Sequence, residues 1–172
     1  SAVENIVGVV TGTYELNGGQ YFYLQTPDEK ADNNPNTSEG IVVYAGKDPL
    51  TAKVGNLVKV AGKVSEYHID GSSSKSATDL TVTQINVSSG SVEVVEEKVA
   101  LPSPFKVTNA NLNQKVIDND SLAKFDPQED AMDFWESLEG MRVETGTLRV
   151  TAPPAYGEFY AVLDTVKAET MN

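Results

Sequence analysis

The chain has 172 residues, with 25 acidic against 13 basic side chains, a net charge of −12, one histidine and no cysteine. Without cysteine there is no disulfide scaffold, thiolate zinc site, iron–sulfur cluster or cysteine nucleophile, and His68 alone builds no histidine cage or proton relay. The charge speaks against a dedicated polyanion binder, since phosphate affinity comes from clustered Lys and Arg, and arginine occurs only as Arg142 and Arg149.

The first half reads as short β-segments separated by turn chemistry. Residues 6–14 (IVGVVTGTY) are rich in β-branched side chains and interrupted by Gly8 and Gly12, a pattern of bulges or tight bends within a strand. Asn17-Gly18-Gly19 predicts a hairpin turn, because Asn and Gly adopt positive φ at little cost. In the strand at 21–25, alternation puts Phe22 and Leu24 on one face and Tyr21 and Tyr23 on the other. Residues 26–40 form a long polar loop, and 41–45 (IVVYA) the next strand. A connector bracketed by Asp48-Pro49 and Gly55-Asn56 leads to a long strand at 57–67, with Val58, Val60, Gly62 and Val64 inward and Lys59 and Lys63 outward. After a serine-rich, mobile 69–78 segment, residues 80–87 (LTVTQINV) close the set, with a shift of apolar phase that suggests a bulge near Gln84. Five strands with a glycine-bent first one predict a small closed Greek-key barrel, most commonly an OB-fold.

The second half differs. Leu101-Pro102-Ser103-Pro104 reads as a stiff linker, so the expected division is an OB-like barrel over 1–98 and a linker, helix and hairpin region over 99–172. That second region would either start a further β unit or lie on the barrel. Asp126 is the expected N-cap of a helix with Pro127 at its first position and Glu129 at capping-box spacing. Ala131, Phe134, Trp135 and Leu138 recur at helical period, and Gly140 is the stop. This helix would bury Phe134 and Trp135 and leave Asp130, Asp133 and Glu136 in water. Residues 141–151 and 158–166 return to strand patterns.

Three groups of side chains could carry chemistry. Asp28, Asp32, Asn34 and Glu39 in the long loop offer the oxygens that Ca²⁺ prefers, although the spacing is not an EF-hand, Lys30 intrudes, and a solvated polar loop is the competing reading. Asp118, Asp120, Asp126, Glu129, Asp130 and Asp133 could hold a cation or a basic partner, or simply dress a helix N-terminus. Tyr21, Tyr23 and Tyr44 with Lys59 and Lys63 would share an outward face if strands two, three and four adjoin, which is the make-up of a stacking platform for single-stranded nucleic acid. No P-loop, serine elbow or dinucleotide fingerprint occurs. No apolar run reaches the roughly 18 residues of a membrane span.

The segments VVTGTY, QYFYLQTPD, TSEGIVVYAG and VGNLVKVAGKVSEY, in that order, resemble the OB-fold domain that precedes the catalytic domain in secreted bacterial nucleases of the endonuclease/exonuclease/phosphatase superfamily. ALPSP, VIDNDSLAKFDPQEDAMDFWESLEGMRV and YGEFYAV resemble the region that follows it. The resemblance implies an extracellular or cell-wall-attached, metal-dependent nuclease or phosphodiesterase whose catalytic residues lie in a downstream domain of the same polypeptide. This chain would then be its non-catalytic accessory module, weakly binding single-stranded nucleic acid and needing no cofactor of its own. The loop before TSEG departs from the family's aspartate- and glycine-rich pattern, reading DEKADNNPN, which weakens the case for Ca²⁺ there. The alternative is a cell-surface structural or interaction module for protein or carbohydrate, which the acidic surface favours.

Overall fold

The computed structural model describes residues 1–68, 80–112, 116–155, 157 and 159–166, so the serine-rich 69–78 segment lies outside the described residues. The fold is mainly β. Strands β1 (Ala2–Leu16), β2 (Gly19–Gln25), β3 (Gly40–Gly46), β4 (Leu57–Tyr67) and β5 (Val82–Glu96) follow one another in space as β1-β2-β3-β5-β4. Strand β4 then pairs back onto β1, so the sheet closes. All neighbours are antiparallel except β3 and β5. This is the expected five-stranded OB-like barrel. Closure rests on β1, whose first half pairs with β4 and whose second half pairs with β2. To turn that corner it breaks register twice, between Val3 and Ile6 and between Val10 and Gly12, and Asn5 takes the left-handed conformation (φ 59°) at the first break. The hairpin into β2 falls where expected but turns on two residues, Asn17 and Gly18, both at positive φ, while Gly19 already pairs with Leu16 as the first residue of β2.

Alternation fills the barrel with Val10, Phe22, Leu24, Val43, Val58, Val60 and Ile85, all but inaccessible to water. One expectation fails in β5. The strand runs on to Glu96, and its register breaks lie between Asn86 and Ser91, opposite Lys63 and Ala61, and between Val94 and Glu96, opposite Val58 and Leu57, rather than at Gln84. Ile85 is buried in the barrel core, and Gln84 is buried on the other face, beside a cleft that it shares with Glu139 and Gly140 of the second half. Gly90 marks the first break: a Cβ there would run into the Ala61 carbonyl.

The second half is built around β6 (Phe105–Val107), which pairs in parallel with β7 (Val143–Thr145), and a hairpin of β8 (Leu148–Val150) with β9 (Ala161–Leu163). Its small core joins Val107, Phe134 and Leu138 to Phe105, Leu112 and Met141. The helix α1 (Ala131–Glu136) starts later than the sequence suggests. Asp130, not Asp126, is the N-cap, accepting from the Asp133 N–H at 3.0 Å. Residues 126–130 form a separate turn, closed by the Glu129 N–H donating to the Asp126 carbonyl. The consequence reverses part of the expected amphipathicity. Asp130 and Asp133 are buried, held inside by these bonds, whereas Trp135 is 45% exposed and meets Phe134 only edge-on.

The second half lies against the barrel through polar contacts. The Arg142 N–H donates to Gln25 Oε1 at 2.8 Å, Ser38 Oγ to the Glu139 carbonyl at 2.6 Å, and Ser103 through both N and Oγ to the Asp28 carboxylate. The backbones cross at Gly40 and Gly140, where a methyl on Gly40 would overlap the Gly140 peptide.

Candidate functional site

Because the hairpin register is fixed by its two-residue turn, Tyr14 stands opposite Tyr21, and Tyr21 in turn opposite Tyr44 on β3. Phe22 and Leu24 point into the core, so these tyrosines occupy the outer wall. Tyr14 and Tyr21 stack with centroids 4.9 Å apart and planes 8° from parallel, Tyr23 leans on Tyr14 at 5.3 Å, and Tyr44 on Tyr21 at 5.0 Å. Burial, followed by the neighbouring phenols of Tyr23, Tyr21 and Tyr67, pushes the Tyr14 hydroxyl up to about 12, and burial first also raises that of Tyr21. These phenols therefore stay neutral at any physiological pH.

The structure thus brings Tyr21, Tyr23 and Tyr44 together and adds Tyr14. Across β3, β5 and β4 the same row continues through Asn86 to Lys63, which is exposed at its far end. Lys59 lies elsewhere, opposite Val7 and Glu93, and its amine is held by the Glu93 carboxylate at 2.6 Å. The rings also spend much of their faces on one another, with Tyr23 the most exposed of them at 37%.

Beside the row is a cleft of about 310 Å³ lined by Tyr14, Tyr21, Tyr23, Tyr67, Gln84 and Glu139, with Leu16, Val42 and Val82 as its apolar surface. Glu139 comes from the turn after α1, and its carboxylate accepts from the Thr83 N–H at 3.1 and 3.2 Å, at the start of β5. Burial raises its pKa, helped by the nearby Glu136 and Glu66 carboxylates against the Thr83 bond.

The loop candidates are committed to the loop itself. The Asp32 N–H donates to Glu39 Oε1, the Asn34 N–H to Asp32 Oδ1, and the Asn36 N–H to Asn34 Oδ1. Asp28 stands apart, and its bonds from the Ser103 hydroxyl and N–H hold its carboxyl below the usual range. The tighter acidic group is Asp126, Asp130 and Asp133, whose carboxylate oxygens lie within 4.8 Å of one another. The Asp126 N–H donates to Asp133 Oδ2 at 2.6 Å, and Lys124 Nζ donates to Asp126 Oδ2 at 2.9 Å. These three could hold a small cation, and equally serve as caps for one another's backbone.

Tyr14 was within reach of sequence reasoning, since counting back from the Asn17-Gly18 turn pairs it with Tyr21. Gln84 and Glu139 were not, because their meeting depends on how the second half docks.

The fold and this wall define a closed OB-like barrel with an aromatic outer face, extended by a small unit docked against it. Residues 94–172 match a family model described as Domain of unknown function (DUF8508), which covers less than half of the chain. No curated protein and no solved structure matches.

Proposed function

We propose that this chain is the non-catalytic OB-fold accessory module of a larger secreted nuclease or phosphodiesterase, and that the tyrosine wall is its binding surface. The observation that carries the reading is the continuous row Tyr14–Tyr21–Tyr44 with Tyr23 beside it, on the outer wall across β1, β2 and β3. OB-folds hold oligonucleotides and oligosaccharides on their strand 2–3 face. Of those two ligand classes, the local chemistry favours carbohydrate at the cell surface. Stacked bases need free ring faces, which these tyrosines largely give to each other, and among the described residues no lysine or arginine lines the adjoining cleft.

Titration of the chain with cell-wall glycan fragments and with a single-stranded oligonucleotide separates the readings. Saturable glycan binding that Tyr23→Ala abolishes is the expected result, with oligonucleotide binding weak and removed by modest salt. Tight oligonucleotide binding with a steep salt dependence would reverse the choice of ligand. No cofactor belongs to this reading, so the unfolding midpoint should be the same in EDTA and in millimolar Ca²⁺. A rise with Ca²⁺ that Asp133→Asn removes would instead place a cation in the aspartate triad.

A further inference from the structure

The cleft beside the tyrosines sets an amide donor and a carboxylate acceptor beside an apolar floor. Gln84 is 7% exposed, and its Oε1 is sealed from solvent, whereas its Nε2 is not sealed and makes no hydrogen bond to a described residue. Turning the amide over would bury two unpaired donors in place of one acceptor, so the N–H side is what Gln84 presents to the cleft. The Glu139 carboxylate lines the same cleft and accepts from the N–H of Thr83, the residue before Gln84 in β5. One N–H shared between its two oxygens leaves most of its acceptor sites open. The floor is Leu16, Val42 and Val82. A ligand that satisfies this set carries, side by side, a carbonyl for Gln84, an N–H for Glu139 and a small apolar group for the floor. The Glu66 and Glu136 carboxylates, close enough to raise the pKa of Glu139, would repel an anion.

We propose that this cleft binds the acetamido group of a neutral N-acetylated amino sugar, whose carbonyl accepts from Gln84 Nε2, whose N–H donates to the Glu139 carboxylate and whose methyl lies on Leu16, Val42 and Val82. The inference deepens the carbohydrate reading of the tyrosine wall and rests on it. A plain hexose would set hydroxyls against the apolar floor, where they lose water without gaining partners. The acetamido methyl carries no such cost. At 310 Å³ the cleft has the volume of about ten waters, room for the acetamido group and the sugar ring that bears it. The C–H face of that ring then lies on Tyr23, the most exposed ring of the wall, because an aromatic face carries negative potential and C–H groups are weakly positive.

The test is titration of the whole chain, by calorimetry or by NMR shifts, with the trimer of N-acetylglucosamine and with the matching glucose trimer, which carries a hydroxyl in place of each acetamido group. N-acetylalanine methylamide, an amide without a sugar, is the control. Saturable binding of the acetamido trimer is expected, with the glucose trimer about tenfold weaker for want of the amide's hydrogen bonds and the control weaker still. Gln84→Leu removes the donor together with the sealed oxygen, so it should fold at least as stably. It should weaken the acetamido trimer about tenfold and leave the glucose trimer unchanged. Glu139→Gln, whose amide oxygen still accepts from the Thr83 N–H, should weaken the acetamido trimer about fivefold by making its acceptor neutral. Equal binding of the two trimers, a preference that Gln84→Leu leaves intact, or a control that binds as tightly as the acetamido trimer would overturn the proposal. If both trimers bind alike and Tyr23→Ala abolishes both, the wall remains a carbohydrate surface and the acetamido assignment falls. If neither trimer binds, both fall.

Discussion

At the scale of single residues, the instructive side chains are those that take up positions opposite to their usual preference. Asp130 is 1% exposed and Asp133 is 6% exposed, although carboxylates seldom lie fully inside a fold. Both are kept there by backbone N–H donors, Asp133 for Asp130 and Asp126 for Asp133. The Asp133 N–H favours the ionised form of Asp130, yet burial and the crowding carboxylates of Asp133 and Asp126 outweigh it, and its pKa is raised. The cap and the charge can therefore be separated by mutation. Asn caps as well as Asp, so Asp130→Asn should keep α1 and raise the thermal midpoint at pH 7 by relieving the crowding. Asp130→Ala should lower the midpoint by about 2–4 °C through loss of the cap. Thermal unfolding followed by circular dichroism decides between them. Equal loss in both variants would show that the charge itself, and not the cap, is what the turn requires.

At the scale of elements, legibility followed the locality of the cause. The strand β4 could be read to its ends, and the shared face of Phe22 and Leu24 and the inward Val58 and Val60 followed from alternation, because both depend on neighbours in the chain. The turn at Asn17-Gly18 fixed the tyrosine register for the same reason. What escaped depended on contacts between distant segments: the β5 irregularity set by Gly90 against Ala61, the burial of Gln84, and the late start of α1, where the Ala131 and Met132 N–H groups donate to the carbonyls of Val116 and Ile117. The loop acids illustrate the limit from the other side. Their composition suggests a cation, but residues 26–40 use these oxygens on their own N–H groups, and composition alone does not distinguish the two uses. The docking of the second half on the barrel has one point with no slack, Gly40 against Gly140. Gly40→Ala should force these backbones apart, disturbing the Arg142–Gln25 and Ser38–Glu139 bonds, and cost about 1–3 kcal/mol as overpacking does. Amide exchange should then quicken in residues 138–145 before it quickens in β4. Uniform loss of protection across the barrel would mean that barrel and docked unit unfold only together.

At the scale of the whole molecule, the net charge divides evenly between barrel and docked unit, and where the docked unit places its acids shapes stability. Up to Lys98 there are 7 basic and 13 acidic residues, and from Val99 onward 6 and 12, so each part carries half of the excess. Some of the docked unit's acids gather against the barrel. Burial raises the pKa of Glu136 and of Glu139, and the neighbouring Asp133, Glu136 and Glu66 carboxylates reinforce this. A carboxyl raised above its free value of 4.5 binds its proton more tightly in the folded state. Stability should therefore fall as pH rises from about that value and level off above the folded pKa. Asp28 and Asp118 act in the opposite sense. Hydrogen bonds to Ser103 and to the Asp120 backbone lower them from 3.8, so their contribution is present above that value and is lost as pH falls through the folded pKa. The two trends meet in mildly acid solution, near the isoelectric point of 4.4, where self-repulsion is also least. The thermal midpoint should thus rise as pH is lowered from 8 towards about 5 and fall again below about 4. Scanning calorimetry across this range tests it, with the double substitution Glu136→Gln and Glu139→Gln as the second sample. The amide oxygen introduced by Glu139→Gln can still accept from the Thr83 N–H, so the double variant should gain at pH 8 and lose the rise on acidification. A wild-type midpoint that is flat or declining from pH 8 to 5 would mean that these carboxylates are solvated well enough to titrate normally, and that the junction between barrel and docked unit is looser than its hydrogen bonds imply.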